Sequence, residues 1–332
     1  MILTAQARRF APWLLLAGLL VVALGFGLGA LRAAVAHNAG FVALNRALAN
    51  DSDGDVTAAV WRARGLAQLT NATNDRPGRA ATWRALGYLH LANGDEAQAI
   101  AAWQYAGAML PELQAEAEEA EQAGDRATAH DWYRRLTAVA PEEPVAWLEL
   151  GLFYERQGDW PAAAEAFDSG LAQATRANSD LLYHLGLARR NLPAPDWVAI
   201  LSLTDSALTT DVYLHDWSRG QTHGLRGEAL LALDRPAEAR DEFALVVAQQ
   251  PDDFWATLRL ARLVWAIDGD AVTAERLFRA ALALDAQSKW AYLGLAQLYA
   301  DQGRDDEARP LFERVRELDP TDATAAEWLA QN

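Results

Sequence analysis

The stretch that decides the fold is WLELGLFYERQGDWPAAAEAF, which runs from Trp147 to Phe167. Four of its residues stand at offsets 0, 3, 4 and 7, namely Trp147, Leu150, Gly151 and Tyr154. These offsets fall on one face of an α-helix. Gly158 and Asp159 then interrupt the helical pattern, and Ala163 and Phe167 resume it. The stretch therefore predicts two helices joined by a tight turn.

Similar strings recur along the chain at regular intervals. Along the chain, the residues at the turn position are Gly94, Gly124, Gly158, Asp234, Gly269 and Gly303. They follow one another in steps of 30, 34, 76, 35 and 34 residues. Nine residues after each turn stands a large aromatic residue, in the order Trp103, Tyr133, Phe167, Phe243, Phe278 and Phe312. The long step holds one more unit with insertions, marked by Leu185-Gly186 and Asp196-Trp197. We predict that these aromatic residues are buried packing residues.

The pattern resembles the tetratricopeptide repeat family, whose unit is a helix–turn–helix of about 34 residues. The resemblance implies an all-α, right-handed solenoid of about seven helical hairpins over residues 80–320, with a concave face that binds other proteins. Two units match weakly, the one with Gly124 and the one around Asp196. The unit with Gly269 carries Arg259 where a small residue is expected, unless the register moves to Ala261.

The ends of the array have their own patterns. Residues 321–332 are predicted to form a capping helix that covers the last hairpin. Residues 36–79 are predicted to form membrane-proximal helices that lead into the array. In this interpretation a helix over 55–72 pairs with one formed by residues 31–48.

The N-terminal segment predicts one transmembrane helix over residues 11–35, after a short cytoplasmic segment over 1–10. Residues 11–31 contain 21 residues without a charge, enough for about 30 Å of helix. Arg8 and Arg9 precede the apolar segment, which favours a cytoplasmic N-terminus and an extracytoplasmic repeat domain. A signal peptide cleaved after Ala36 is the competing interpretation. Small residues form a candidate packing face for a neighbouring helix: Ala23, Gly25, Gly27 and Gly29.

Composition limits the classes of partner. The formal charge is −16, all 45 acidic residues lie from Asp51 onward, and Lys289 is the only lysine. Such a body repels phosphate polyanions, so no nucleic-acid role is expected. The chain has no cysteine, and none of the common hydrolase, nucleotide-binding or zinc motifs occurs. We therefore expect no enzyme, no cofactor, no metal and no small-molecule substrate.

By analogy with the family, helix positions off the packing face are candidate contacts for a partner. They are Arg84, Tyr88, Arg156, Tyr183, Arg190, Trp255, Arg262, Trp265 and Trp290. Arginine binds carboxylates and tryptophan anchors interfaces, so an extended acidic or C-terminal peptide is the expected ligand. The protein is expected to act as an interaction scaffold anchored in a bacterial-type membrane, as an accessory or structural subunit of a larger membrane complex. The alternative is an envelope-biogenesis or secretion factor that captures client peptides transiently.

Overall fold

A computed structural model describes residues 30–45 and 56–332, and within these ranges it contains helices and no strand. The fold is all-α, a tetratricopeptide-like helical solenoid. Among the described helices, none combines the length and the apolar character that a membrane span requires. The predicted cytoplasmic segment 1–10, most of the predicted transmembrane helix 11–35 and its small-residue face lie outside the described residues.

The helices group into two compact units, one ending at Pro141 and one beginning at Glu142. In the first unit, α1 covers residues 30–45 and its Gly40 packs against Leu69 of the next helix. The remaining helices are α2 (Val56–Asp75), α3 (Ala80–Ala92), α4 (Glu96–Ala106), α5 (Leu110–Gln122) and α6 (Arg126–Val139). Helices α3 and α4 form one hairpin, and α5 and α6 form the next.

The second unit contains five further hairpins and a final helix. The pairs are α7 (Pro144–Gln157) with α8 (Trp160–Gln173), α9 (Ser179–Arg190) with α10 (Trp197–Thr210), and α11 (Asp216–Ala232) with α12 (Pro236–Gln249). They continue with α13 (Phe254–Leu263), a π-helical turn (Val264–Asp268) and α14 (Ala271–Leu284), then α15 (Lys289–Asp301) with α16 (Asp305–Leu318). Helix α17 (Ala323–Gln331) ends the unit, and its Trp328 stacks on Phe312 at 4.5 Å between ring centroids.

Most of the hairpins from α3 to α16 are closed by a small residue on the first helix and a large one on the second, the pair α9–α10 being the exception. A methyl group added at Gly151 would lie 2.1 Å from Phe167 Cε1, and one added at Gly87 would lie 2.2 Å from Trp103 Nε1. Only glycine allows an aromatic ring to approach the helix backbone so closely. The six predicted aromatic residues are all fully buried, which confirms that they are packing residues.

The tight turns inside the hairpins use a left-handed residue. The backbone φ is positive at Gly94, Gly124, Gly158, Gly269 and Gly303, and also at Asp234, where φ is 57°. Glycine adopts this conformation without steric cost, whereas Asp adopts it at some cost. The spacing from the closing small residue to this turn is seven residues in Gly87–Gly94, Gly151–Gly158 and Gly227–Asp234.

The hairpin that contains α13 departs from this spacing. Ala261 is fully buried and is the closing small residue, so Arg259 is not, and eight residues separate Ala261 from Gly269. The additional residue is absorbed by the π-helical turn over Val264–Asp268. A π-helical turn is in effect one residue inserted into an α-helix, and this insertion explains the ambiguous register in the sequence.

The hairpin of α9 and α10 exchanges the usual sizes of two packing residues. In each of the other hairpins from α3 to α16, positions are counted from the residue that precedes the second helix. Four residues after it lies a buried alanine, and eight residues after it lies a buried aromatic residue. Here Ile200 and Thr204 occupy these two positions, and both are fully buried. The following loop is fixed to α9, because the Val212 amide donates to Ser179 Oγ at 3.0 Å and the Leu214 amide donates to Asp180 Oδ2 at 2.6 Å.

Candidate partner-binding surface

The first helices of three consecutive hairpins in the second unit line a cavity of about 370 Å³, here named the Glu228 cavity. On each helix its lining residues recur at steps of three or four, with one adjacent pair in α11 and one in α13, so each set lies on one helical face. They are Tyr183, Leu187 and Arg190 of α9, Gln221, Gly224, Leu225 and Glu228 of α11, and Trp255, Ala256 and Arg259 of α13, with Asp253 and Phe243. A volume of this size suits a few side chains of a bound ligand.

One carboxylate at this site lies between two guanidinium groups. Glu228 Oε2 lies 2.7 Å from Arg190 Nε, and Glu228 Oε1 accepts from the Arg259 guanidinium. The Arg259 guanidinium also lies over the Phe243 ring, 5.4 Å from its centroid. Because one negative charge faces two positive ones, this trio carries a net positive charge in a chain whose formal charge is −16. Asp253 also lines the cavity and balances this charge, and its Oδ1 accepts from the Ala256 amide. The two guanidinium groups of the trio are nevertheless the kind of donor that binds a carboxylate.

Two aromatic side chains complete the Glu228 cavity. Tyr183 is buried, and burial, followed by the charges of Glu155 and Glu228, raises its pKa far above the usual range. Its phenol therefore remains a neutral hydroxyl group at neutral pH. Trp255 is 55% exposed although it lines the cavity, and its ring meets Phe254 edge-on at 5.0 Å. An exposed indole beside a polar floor is a common anchor for a protein ligand.

A second cavity of about 440 Å³ is here named the Trp265 cavity. It is lined by Trp265 and Ala266 of the π-helical turn, by Arg259, Arg262 and Leu263 of α13, and by Leu231, Gly294 and Gln297 of the neighbouring hairpins. Arg259 thus lines both cavities. Arg262 is exposed and, within the residues that the structure describes, it takes part in no ion pair.

The structure distributes the nine predicted contact residues among several places. Tyr183, Arg190 and Trp255 line the Glu228 cavity, and Arg262 and Trp265 line the Trp265 cavity. Arg156 is exposed and lines neither cavity. Trp290 is 47% exposed, also lines neither, and has the Lys289 ammonium 4.3 Å above its ring centroid.

The remaining two predicted contacts, Arg84 and Tyr88, lie in the first unit beside an acidic helix. Arg84 Nε is 3.2 Å from Glu112 Oε2, so a carboxylate of α5 already accompanies this cation. Burial, and then Glu112, raise the pKa of the Tyr88 phenol. Burial, with Glu119 and Glu112 nearby, also raises the pKa of Glu116. This surface offers three glutamates and one arginine, whereas the Glu228 cavity is lined by two arginines and two carboxylates.

Sequence reasoning missed Glu228 and Arg259 as site residues. Glu228 directly follows the closing small residue Gly227 of α11, as Tyr88 follows Gly87 in α3. That position faces the cavity, and its offset could have identified Glu228. The pairing with Arg190 and Arg259 has no sequence signal, because it joins three helices from different hairpins.

Two buried histidine–glutamate pairs lie in the second unit and line neither cavity. His184 Nδ1 lies 3.1 Å from Glu155 Oε2, and His223 Nδ1 lies 2.7 Å from Glu242 Oε2. Glu242 also accepts from the Arg226 guanidinium. In the part of the chain that the structure describes, no group of three or more histidine, aspartate and glutamate side chains is arranged to hold a metal ion.

Comparison with known proteins supports the repeat architecture. Residues 266–331 match a family profile described as tetratricopeptide repeat, and residues 113–208 match the middle tetratricopeptide-like domain of cilia and flagella-associated protein 70. No curated protein sequence matches the chain significantly. Both profiles are tetratricopeptide-type, and they match the end of the first unit and two stretches of the second.

Two solved structures share the fold with more than half of the chain. PilF of Pseudomonas aeruginosa is 16% identical, with a TM-score of 0.56, over 67% of this chain and 97% of PilF. YrrB, described as a tetratricopeptide protein with an unusual peptide-binding site, is 16% identical, with a TM-score of 0.51, over 60% of this chain and 98% of YrrB. At this identity the likeness concerns the fold alone. The chain thus has a tetratricopeptide-like helical architecture.

Proposed function

We propose that this protein is an interaction scaffold whose Glu228 cavity binds an extended, acidic segment of a partner protein. The observation that carries the proposal is the arrangement of Glu228 between Arg190 and Arg259 in a cavity bordered by the exposed Trp255. A partner carboxylate would share the two guanidinium groups with Glu228. An apolar partner residue would pack on the indole of Trp255, which supplies area at little entropic cost.

The proposal also includes membrane attachment through residues 11–35. Its support is the uncharged segment over residues 11–31, preceded by Arg8 and Arg9. We propose a single-pass topology with the repeat units on the extracytoplasmic side, where the protein would act as an accessory subunit of a membrane complex. The small residues Ala23, Gly25, Gly27 and Gly29 would then contact a helix of another subunit.

A second candidate is transient capture of client peptides by an envelope-biogenesis or secretion factor. The observation that favours it is the accessibility of the Glu228 cavity, because Trp255 remains 55% exposed. A peptide-binding site in YrrB, a protein of similar fold, is in line with such a role. The two candidates differ in whether the partner is stoichiometric and permanent.

The test begins with extraction of the full-length protein from its native membrane in mild detergent. Native sizing and mass spectrometry then identify co-migrating proteins. A stoichiometric membrane complex that is lost when residues 1–36 are replaced by an unrelated anchor would support the subunit role. A changing set of soluble clients would support the second candidate, and recovery of the protein in the soluble fraction would contradict membrane attachment.

The cavity itself is tested by a matched pair of substitutions. Trp255→Ala removes the indole from the Glu228 cavity, whereas Trp290→Ala removes an indole of similar exposure that lines neither cavity. We expect Trp255→Ala to weaken partner binding about thirtyfold, the effect of losing an interface anchor worth about 2 kcal/mol. Trp290→Ala should leave binding unchanged. Equal effects of the two substitutions would show that the Glu228 cavity is not the binding surface.

A further inference from the structure

The π-helical turn over Val264–Asp268 forms part of a cavity wall. It supplies Trp265 and Ala266, and it follows the buried Ala261 by three residues. Single π-helical turns are costly insertions that occur frequently at functional sites. Trp265, the aromatic residue of the Trp265 cavity, lies within this turn.

Arg262 occupies the same position in its hairpin as Glu228 does in the preceding one, where Glu228 pairs with two arginines. It directly follows the closing residue Ala261, as Glu228 follows Gly227 and Gln297 follows Ala296. All three line the described cavities. Glu228 is neutralised by two arginines, whereas Arg262 has no ion-pair partner among the described residues. Arg262 is thus a cation free to accept a ligand charge.

The lining of the Trp265 cavity fits an anion joined to an apolar group. Its charged residues are Arg259 and Arg262, and no carboxylate belongs to its lining. Arg259 is paired with Glu228, and Arg262 is the unpaired cation of this lining among the described residues. Trp265, Leu231 and Leu263 offer the apolar part of the surface. An unpaired guanidinium beside apolar walls favours a carboxylate, which it binds through two parallel hydrogen bonds.

We propose that the Trp265 cavity is a second subsite that binds an acidic side chain of the partner segment, with an adjoining bulky apolar residue against Trp265. This inference rests on the proposed function, because the segment is the one held in the Glu228 cavity. Arg259 lines both cavities, so a segment seated in the first continues directly into the second. The proposal assigns the carboxylate to an internal side chain of this segment and not to its C-terminus.

The experiment uses a display library of random dodecapeptides selected on the immobilised full-length chain in detergent. Enriched sequences are then synthesised with an acetylated N-terminus and an amidated C-terminus, and their affinities are measured by calorimetry. We expect the enriched peptides to share Asp or Glu next to an aromatic or aliphatic residue. The Arg262→Gln variant should bind these peptides with an affinity about tenfold lower, which is the usual effect of losing a charged hydrogen bond. Replacement of the acidic residue by its amide should have the same effect on the wild-type chain.

Matched variants make the result specific to the subsite. Arg316→Gln changes an exposed arginine of α16 that lines neither cavity, and it should leave the affinity unchanged. Trp265→Ala should weaken binding as Arg262→Gln does. Arg262 is exposed, so its variant is expected to fold, and circular dichroism checks this for both variants.

Three outcomes would overturn the inference, and they separate it from the proposed function. In the first outcome, the selected peptides bind the Trp255→Ala variant weakly but bind the Arg262→Gln variant as tightly as the wild-type chain. This result would refute the second subsite and leave the Glu228 cavity as the binding site. A requirement for a free C-terminal carboxylate, with no effect of the internal acidic residue, would refute the choice of a side chain. Absence of any selected peptide would refute the proposed function together with the subsite.

Discussion

Replacing glycine by alanine is expected to lower the stability of the fold at Gly151, which closes a hairpin, and to raise it at Gly224, which does not. Gly151→Ala places a methyl group 2.1 Å from Phe167 Cε1, whereas ordinary carbon contacts begin near 3.4 Å. The ring or the helix must therefore move by more than 1 Å. Gly224→Ala adds the same methyl group in the interior of α11, where nothing lies within 4 Å of it.

The magnitudes follow from packing and helix propensity. Overpacking at Gly151 is expected to cost about 1–3 kcal/mol, reduced by the gain of roughly 1 kcal/mol when alanine replaces glycine in a helix. At Gly224 only the gain remains, about 0.5–1 kcal/mol. For a unit of this size, each kcal/mol changes Tm by about 2–4 °C. Gly151→Ala should lower Tm by several degrees, and Gly224→Ala should raise it by about 2–3 °C.

Thermal melts followed by far-ultraviolet circular dichroism measure both effects. A third variant tests the cause, because Phe167→Leu shortens the side chain that the new methyl group meets. In the double variant Gly151→Ala with Phe167→Leu, the combined loss should be smaller than the sum of the single losses. Changes of Tm in the same direction for Gly151→Ala and Gly224→Ala, or additive losses in the double variant, would refute the reasoning.

Three further predictions concern the second unit. The Lys289 ammonium, and then Thr321, hold the pKa of Asp319 down to about 2. The contribution of ionised Asp319 to the stability of the fold is therefore present above pH 4 and lost as the pH falls towards 2. An NMR titration of this carboxyl group with a midpoint near 4 would contradict the prediction. Ile200→Ala should cost about 2–4 kcal/mol and Thr204→Phe about 1–3, but the double variant should lose less than their sum because it restores the usual alanine–aromatic pair. A double-mutant cycle from chemical denaturation measures this coupling, and strict additivity would disprove it. Asp234→Gly relieves a left-handed backbone and should stabilise by roughly 0.5 kcal/mol, and a lower Tm would count against it.

The repeat architecture was predictable because it depends on spacing alone. The closing small residues and the aromatic residues sixteen positions later, such as Gly151 and Phe167, follow from the requirement that two helices approach closely. One unit cannot bury its apolar face by itself, so the same requirement recurs in each hairpin. The family profiles agree with this part of the interpretation.

The candidate site was predictable only in part, since it depends on contacts between hairpins. Arg190 and Trp255 were found from their helical register, whereas the position of Glu228 between two arginines has no counterpart in a repeat pattern. The π-helical turn was missed for another reason. One inserted residue between Ala261 and Gly269 shifts the register by about 100°, and an insertion of that length looks like an irregular repeat.

Phe278 has a role in two hairpins. Its fully buried ring belongs to α14, yet a methyl group added at Gly294 of α15 in the next hairpin would lie 2.3 Å from Phe278 Cε1. The last two hairpins therefore share one packing residue. In the same way, the ring of Phe167 closes its own hairpin against Gly151 and also lies 5.6 Å, between ring centroids, from His184 of α9 in the next hairpin. Rings shared in this way couple neighbouring hairpins of the second unit, so the amide protons of adjoining hairpins should exchange with solvent through common opening events. The hairpins of this unit would then open in neighbouring groups and not one at a time.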